Sequence, residues 1–270
     1  MRVSLPVIAV TDTNIFLRRV LGAAWKRACS ISPGPVEVGP PICQLFIGGH
    51  GKRTAYTFVN FPSLFSPANA SACSYKLTLY DQDGSEVGSR RITVPMLGTA
   101  EVRLEDLFDL SLPEVGLVSA QITSGSRLSY ADRHLGPVRA HFYAMYHDEE
   151  MRSIAIVHPQ SAMWQQAPAL ESWRSSLVIC PKKLKALELF QINPTGAEAR
   201  TEISICALDG DQLTSSSAQM PSRGSRRMYW AASDFGAHEY VVIASQSLAA
   251  PNAKPLVFQH HAGGFSASHS

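Results

Sequence analysis

The chain has 270 residues, of which 45% are hydrophobic and 17% charged, with a formal net charge of +2. That is apolar matter for roughly two domain cores and too little charge for a disordered chain. No block is basic enough to neutralise many phosphates, which argues against general nucleic-acid binding, and no apolar run approaches the ~20 residues that span a bilayer.

The start, Met1 to Val10, is too short and too broken by Pro6 to read as a secretory signal. Residues 12–29 read as a helix. Asp12 or Thr13 can cap it, and Ile15, Phe16, Val20, Leu21, Ala24 and Trp25 recur at helical spacing. Residues 31–41 hold four prolines and read as an extended linker. Beyond them the texture turns to β. Short alternating apolar runs bounded by Gly, Pro, Asn and Asp predict strands at 42–48, 54–61, 74–81, 89–95, 100–104, 116–123, 137–146 and 152–158. Lys76-Leu77-Thr78-Leu79-Tyr80 alternates cleanly, which points Leu77 and Leu79 inward. A Ser/Gln/Pro-containing join at 159–174 follows. The second half predicts strands at 176–180, 185–192, 201–207, 214–220, 226–231, 239–245 and 255–260.

The two halves repeat. Asp83-Gly84, Pro95 and Gly98 recur as Asp209-Gly210, Pro221 and Gly224 with identical spacing. An alternating strand precedes each Asp-Gly, and an acid near a Phe follows each second Gly: Asp106 with Phe108, and Asp234 with Phe235. Asp-Gly serves a tight hairpin turn, and Pro-x-x-Gly ends the returning strand. Such a meander needs a second sheet over its apolar face. The expected fold is therefore mainly β. It comprises a short N-terminal helical segment and linker (1–35) and two tandem, diverged β-sandwich units, immunoglobulin-like or jelly-roll-like, at 36–165 and 166–270.

Histidines are the first candidates for chemistry, because neutral imidazole ligates zinc and copper. His141, His147 and His158 fall near the end of the first unit, and His260, His261 and His269 near the end of the second. His147, His158, His260, His261 and His269 are the candidate metal ligands, with His158 and His269 at matching strand ends. Strand caps, each ring bonding a loop carbonyl, are the expected role of these matching ends. His141 and His147, on one strand, stand too far apart to share an ion. The acidic run Asp148-Glu149-Glu150 reads as a solvated hairpin tip.

Arg223, Arg226, Arg227 and Tyr229 form a second candidate set, since arginine forks suit carboxylates and aromatic faces suit sugar rings. Met228 and Trp230, between and beside them, read as core. Gly48-Gly49-His50-Gly51-Lys52-Arg53-Thr54 resembles a phosphate loop in composition, but Phe46 stands where the motif needs Gly, so it reads as a glycine-rich turn. No Gly-x-Ser-x-Gly elbow supports a serine hydrolase. Asn69-Ala70-Ser71 fits a glycosylation acceptor, and five cysteines without a CxxC read as small buried thiols. With no catalytic set and no nucleotide loop, the sequence reads as a non-enzymatic binding or structural protein with a protein or carbohydrate partner. The alternative is a metal-binding protein or metal-dependent enzyme built on the histidines, with zinc or copper.

Overall fold

The computed structural model describes residues 38–65, 70–108, 111–124, 139–159, 161–163, 173–247 and 254–269. The expected N-terminal helix, Cys29, Asn69 of the glycosylation acceptor and most of the join at 159–174 lie outside them. Among the described residues no helix is long and apolar enough to cross a membrane.

The first unit contains β1 (Ile42–Ile47), β2 (Arg53–Val59), β3 (Cys73–Asp81), β4 (Glu86–Val94), β5 (Thr99–Arg103), β6 (Val115–Ser124), β7 (Phe142–His147), β8 (Ile154–Val157) and β9 (Ser161–Ala162). The second contains β10 (Trp173–Ile179), β11 (Ala186–Ile192), β12 (Ala199–Ala207), β13 (Gln212–Met220), β14 (Ser225–Ala231), β15 (Val241–Ser247), β16 (Leu256–His261) and β17 (Gly264–His269). They make four antiparallel sheets with orders β4-β3-β6-β1-β9, β5-β2-β7-β8, β13-β12-β15-β10 and β14-β11-β16-β17. Sheet by sheet the two orders correspond, with the two-residue β9 added in the first unit. The chain is a tandem β-sandwich protein.

The repeated turns are built alike. Gly84 (φ 83°) and Gly210 (φ 99°) carry the left-handed backbone, while Asp83 and Asp209 do not. Gly84 N–H donates to Asp81 O (3.1 Å) and Gly210 N–H to Ala207 O (3.0 Å). Each strand pair then shifts register, at Leu79/Tyr80 and at Ile205/Cys206. This is the three-residue hairpin with a left-handed glycine and a bulge, not the two-residue loop that Asp-Gly alone suggests.

The Pro-x-x-Gly turns match as well. Gly98 N–H reaches Pro95 O (3.2 Å) and Gly224 N–H reaches Pro221 O (3.1 Å). Their third residues, Leu97 (φ 53°) and Arg223 (φ 59°), are left-handed. Asn60 and Asn193, both fully buried, pin these turns from the neighbouring strand. Asn60 Nδ2 donates to Pro95 O (3.0 Å) and Ser71 O (2.8 Å), and Asn193 Nδ2 to Pro221 O (2.8 Å) and Ala197 O (2.8 Å). A buried amide with each hydrogen matched to a carbonyl holds one geometry and penalises others. A short helix follows each returning strand, Leu104–Leu107 in one unit and Ala232–Phe235 in the other.

The second core lies between its own two sheets, with Leu187, Leu189, Ile203, Ile205, Met228, Trp230 and Val257 inside. The first core does not stop at its own unit. Phe190, Ile192, Leu256 and Phe258 of the second unit are buried in it. Phe258 stands edge-on to Tyr146 at 5.4 Å between ring centroids. The sheet β14-β11-β16-β17 is thus covered on both faces, and all seven residues of β11 are buried. Its counterpart β2 keeps three half-buried positions, Arg53, Thr57 and Val59.

The joint makes one glycine of the repeat stricter than its twin. A Cβ on Gly84 would run into the main-chain oxygen of Ser222, across the joint, whereas around Gly210 there is open space. Gly210→Ala should lose about 1 kcal/mol, the strain of a left-handed alanine. Gly84→Ala should lose at least ~2 kcal/mol more, because backbone must move to admit the methyl. Urea unfolding of the two variants measures the difference; equal losses would contradict the close approach.

Candidate functional site

The β1–β2 turn places Lys52 where the phosphate-loop composition drew attention. His50 (φ 56°) and Gly51 (φ 69°) turn the chain, and Lys52 N–H closes on Gly49 O at 3.0 Å. The Lys52 side chain faces the second unit. It is 2% exposed and ion-pairs with Glu188 of β11, itself 1% exposed. Arg227 and His260 also bond Glu188, His260 Nε2 at 2.9 Å. Lys52 Nζ lies 5.1 Å from the Phe258 ring centroid and 5.8 Å from that of Phe265. Burial opposes the Glu188 charge. The donors His260 and Lys52, the Lys52 charge and Arg227 overcome it and bring the carboxyl down to about 2. Burial lowers Lys52 despite Glu188. Every member is engaged by another, so the cluster ties the two units together.

The predicted metal ligands are dispersed. His147 Nδ1 meets Asp148 O (2.8 Å), His261 Nδ1 meets Lys183 O (3.2 Å) and His260 serves Glu188. Among the described residues no three His, Cys, Asp or Glu side chains converge on one point. His158 and His269 do meet, one from each unit, with Nε2 atoms 2.8 Å apart. The expectation of separate strand-end caps is only half right: His158 Nδ1 does bond a loop carbonyl, Pro159 O at 2.9 Å. The Asp148-Glu149-Glu150 run is a hairpin tip, where Asp148 Oδ1 accepts from Arg152 N (2.7 Å) and Ser153 N (3.3 Å).

Of the arginine set, Arg227 is spent on Glu188. Arg226 ties the joint through Asp83 (3.2 Å) and Gln82 O (3.0 Å). Tyr229 is exposed beneath Arg227. Arg223 differs. Its guanidinium lies over the Tyr80 ring at 5.4 Å, and its buried Nε has no hydrogen-bond partner. Its left-handed backbone belongs to the turn, since Leu97 shares it in the other unit; the side chain is what distinguishes the two.

Arg223 closes one end of a cleft of about 140 Å³ on the outer face of β3 and β6. Lys76, Thr78, Tyr80, Ser119 and Gln121 line it from the first unit. Two cations face hydroxyls and an amide, and no carboxylate lines the cleft. A larger hollow of about 390 Å³ beside His147 is of mixed charge, with Arg53 and Arg103 set among Glu105, Asp106 and Glu149. Arg53 pairs with Glu149 there at 3.2 Å. The third hollow, about 540 Å³ over β10, β15 and β12, is serine-lined with Arg174 and Glu202 of opposite sign. The joint cleft alone among these three is lined by cations with no carboxylate beside them. Sequence reasoning found Arg223 but had no means to supply Lys76, Tyr80 or Gln121 from the other unit.

No family model matches the chain, and no curated protein matches it. Solved structures give distant likenesses. One is a glycosyl hydrolase family 2 member from Bacteroides cellulosilyticus, at 9% identity over 84% of this chain and 27% of that one, with a TM-score of 0.19. Another is a partial N-terminal region of the enterococcal surface protein, at 7% identity over 88% of this chain and 96% of that one, TM-score 0.26. A third is a β-D-mannosidase from Dictyoglomus thermophilum, at 11% over 80% and 26%, TM-score 0.17. The chain spans about a quarter of the two enzymes. At these scores the likenesses carry nothing about activity.

The Glu188 cluster gives a test of the joint. Glu188→Gln strands Lys52 and should cost about 3 kcal/mol, whereas Lys52→Met with Glu188→Leu together should recover most of it. The sign with pH follows from the depressed carboxyl. Its stabilising contribution is complete above the ordinary value of 4.5 and is lost as pH falls towards about 2. Urea midpoints of the native protein should fall across that window, and those of the double variant should fall less.

Proposed function

We propose that the protein is a non-enzymatic binding protein whose locked joint presents the Arg223 cleft to an acidic sugar unit on a carbohydrate partner. The observation that carries this reading is the unpartnered Nε of Arg223 beside Lys76, in a cleft without a carboxylate. Arg and Lys suit a carboxylate; Thr78, Ser119 and Gln121 suit sugar hydroxyls. The volume suits one small ring rather than an extended chain. The non-enzymatic reading is supported by the engagement of the buried titratable groups Lys52, Glu188 and His147 in structural bonds.

Isothermal titration with glucuronate, and with glucose as the neutral control, tests the reading. Glucuronate should bind and glucose should not. Arg223→Ala should weaken binding at least about tenfold, the loss of one charge-assisted pair. Its melting should stay close to native, since the Arg223 side chain makes no hydrogen bond that holds the turn. Equal binding of glucose, or an Arg223→Ala variant that binds as well as the parent, would sink the proposal.

A further inference from the structure

We propose that His158 and His269 form a two-histidine site for a divalent transition-metal ion, copper(II) foremost, which clasps the two sandwiches along the seam between β8 and β17. This site lies apart from the Arg223 cleft and does not depend on it.

The seam brings equivalent strands of the repeat side by side. Phe265 N–H donates to Ser153 Oγ at 3.0 Å at one end, and His158 faces His269 at the other. Both strands therefore run the same way. Their hydrogen-bonding edges are not joined as a ladder in the sheet orders, so side chains make the closure. At the Ser153 end the fit is tight: a Cβ on Gly264 would collide with the Ser153 side chain.

The tautomer of His158 is set by its surroundings. Pro159 O can only accept, so the Nδ1 that lies 2.9 Å from it carries the hydrogen. In the neutral ring, Nε2 is then a bare lone pair. An imidazole whose far nitrogen donates to a main-chain carbonyl has the second-sphere arrangement that orients histidine ligands at metal centres. That Nε2 lies 2.8 Å from Nε2 of His269. Without a metal, the His269 ring must supply one hydrogen between the two nitrogens. A metal ion replaces that hydrogen and takes both lone pairs.

Distance selects the ion. Imidazole nitrogens bind at about 2.0–2.1 Å. Two such bonds at a right angle put the nitrogens about 2.9 Å apart, whereas a tetrahedral angle puts them about 3.3 Å apart. From the metal-free separation of 2.8 Å, the cis pair of a tetragonal copper(II) site asks the least movement of the two rings. Copper(II) also stands highest in affinity for a given nitrogen site. The ring planes stand 79° apart, edge to face rather than stacked. Water completes the sphere, since no third protein ligand converges among the described residues.

Tag-free protein titrated with copper(II) tests the site in two ways. Electron paramagnetic resonance of the unmodified protein should show one tetragonal copper per chain with two equatorial imidazole nitrogens. Calorimetry should show the affinity falling at least about tenfold in His158→Asn and in His269→Asn, comparable to the loss of a ligand-sphere partner. His261→Asn and Arg223→Ala should leave it unchanged. Copper binding that survives both seam variants, or a spectrum without paired imidazoles, overturns the proposal. The spectrum of the unmodified protein decides even where a seam variant folds poorly, and glucuronate binding remains a separate measurement.

Discussion

A lysine and a glutamate that both leave water must find each other, and here they do so from different sandwiches. Lys52 and Glu188 are each about 2% exposed or less. Separately, either charge would be prohibitively costly in that position; together, with Arg227, His260 and two aromatic faces, they are tolerated. The interaction adds little net stability over a greasy substitute. What it adds is direction, because a displaced joint strands a charge while a displaced apolar contact merely loosens. The relative placement of the two units hangs on that penalty.

The same joint explains why the repeat has diverged where it has. Both units need the left-handed glycine, the Pro-x-x-Gly turn and the buried asparagine, because those devices close hairpins within a unit. They persist in both copies. The outer face of β11 must instead enter the first core, so Phe190 and Ile192 replace the half-buried Thr57 and Val59 of β2, and Glu188 stands where β2 has the buried Ala55. Gly84 abuts Ser222 while Gly210 faces open space. Leu97 points to solvent while the equivalent Arg223 turns over Tyr80. Each asymmetry lies at the contact between the copies.

Much of this was legible in the sequence. Alternation placed the strands to within a few residues, and the matched Asp-Gly and Pro-x-x-Gly spacings identified the repeat, because local turn chemistry acts over three or four residues. Met228 and Trp230 were read as core and are core. The asparagines at 60 and 193 were invisible, since a buried amide earns its role only through carbonyls some thirty residues away. Lys52 was masked by the glycines around it, which suggest phosphate. The one available signal for the joint was Ala-Leu-Glu-Leu-Phe-Gln-Ile at 186–192, a strand too apolar on both faces for a simple two-layer sandwich. Histidine equivalence was legible, with one site in each unit and a meeting at a shared interface both open. The structure brings His158 and His269 to each other.

That meeting bears on where a tandem sandwich can place chemistry. Within a unit, the turns and strands are committed to closing hairpins, and the buried asparagines of the turns are matched internally. At the contact between units the partners come from positions that local folding leaves free. Arg223 meets Lys76 across it, and His158 meets His269. Both meetings require the units to be held in register, which no linker of loose chain provides. The buried ion cluster does, and it lies between the two. A ligand group in the cleft and a metal on the seam would each add a bond across the same contact. Their effects on opening of the joint would then be coupled through the Lys52–Glu188 pair, since all three span the same two bodies.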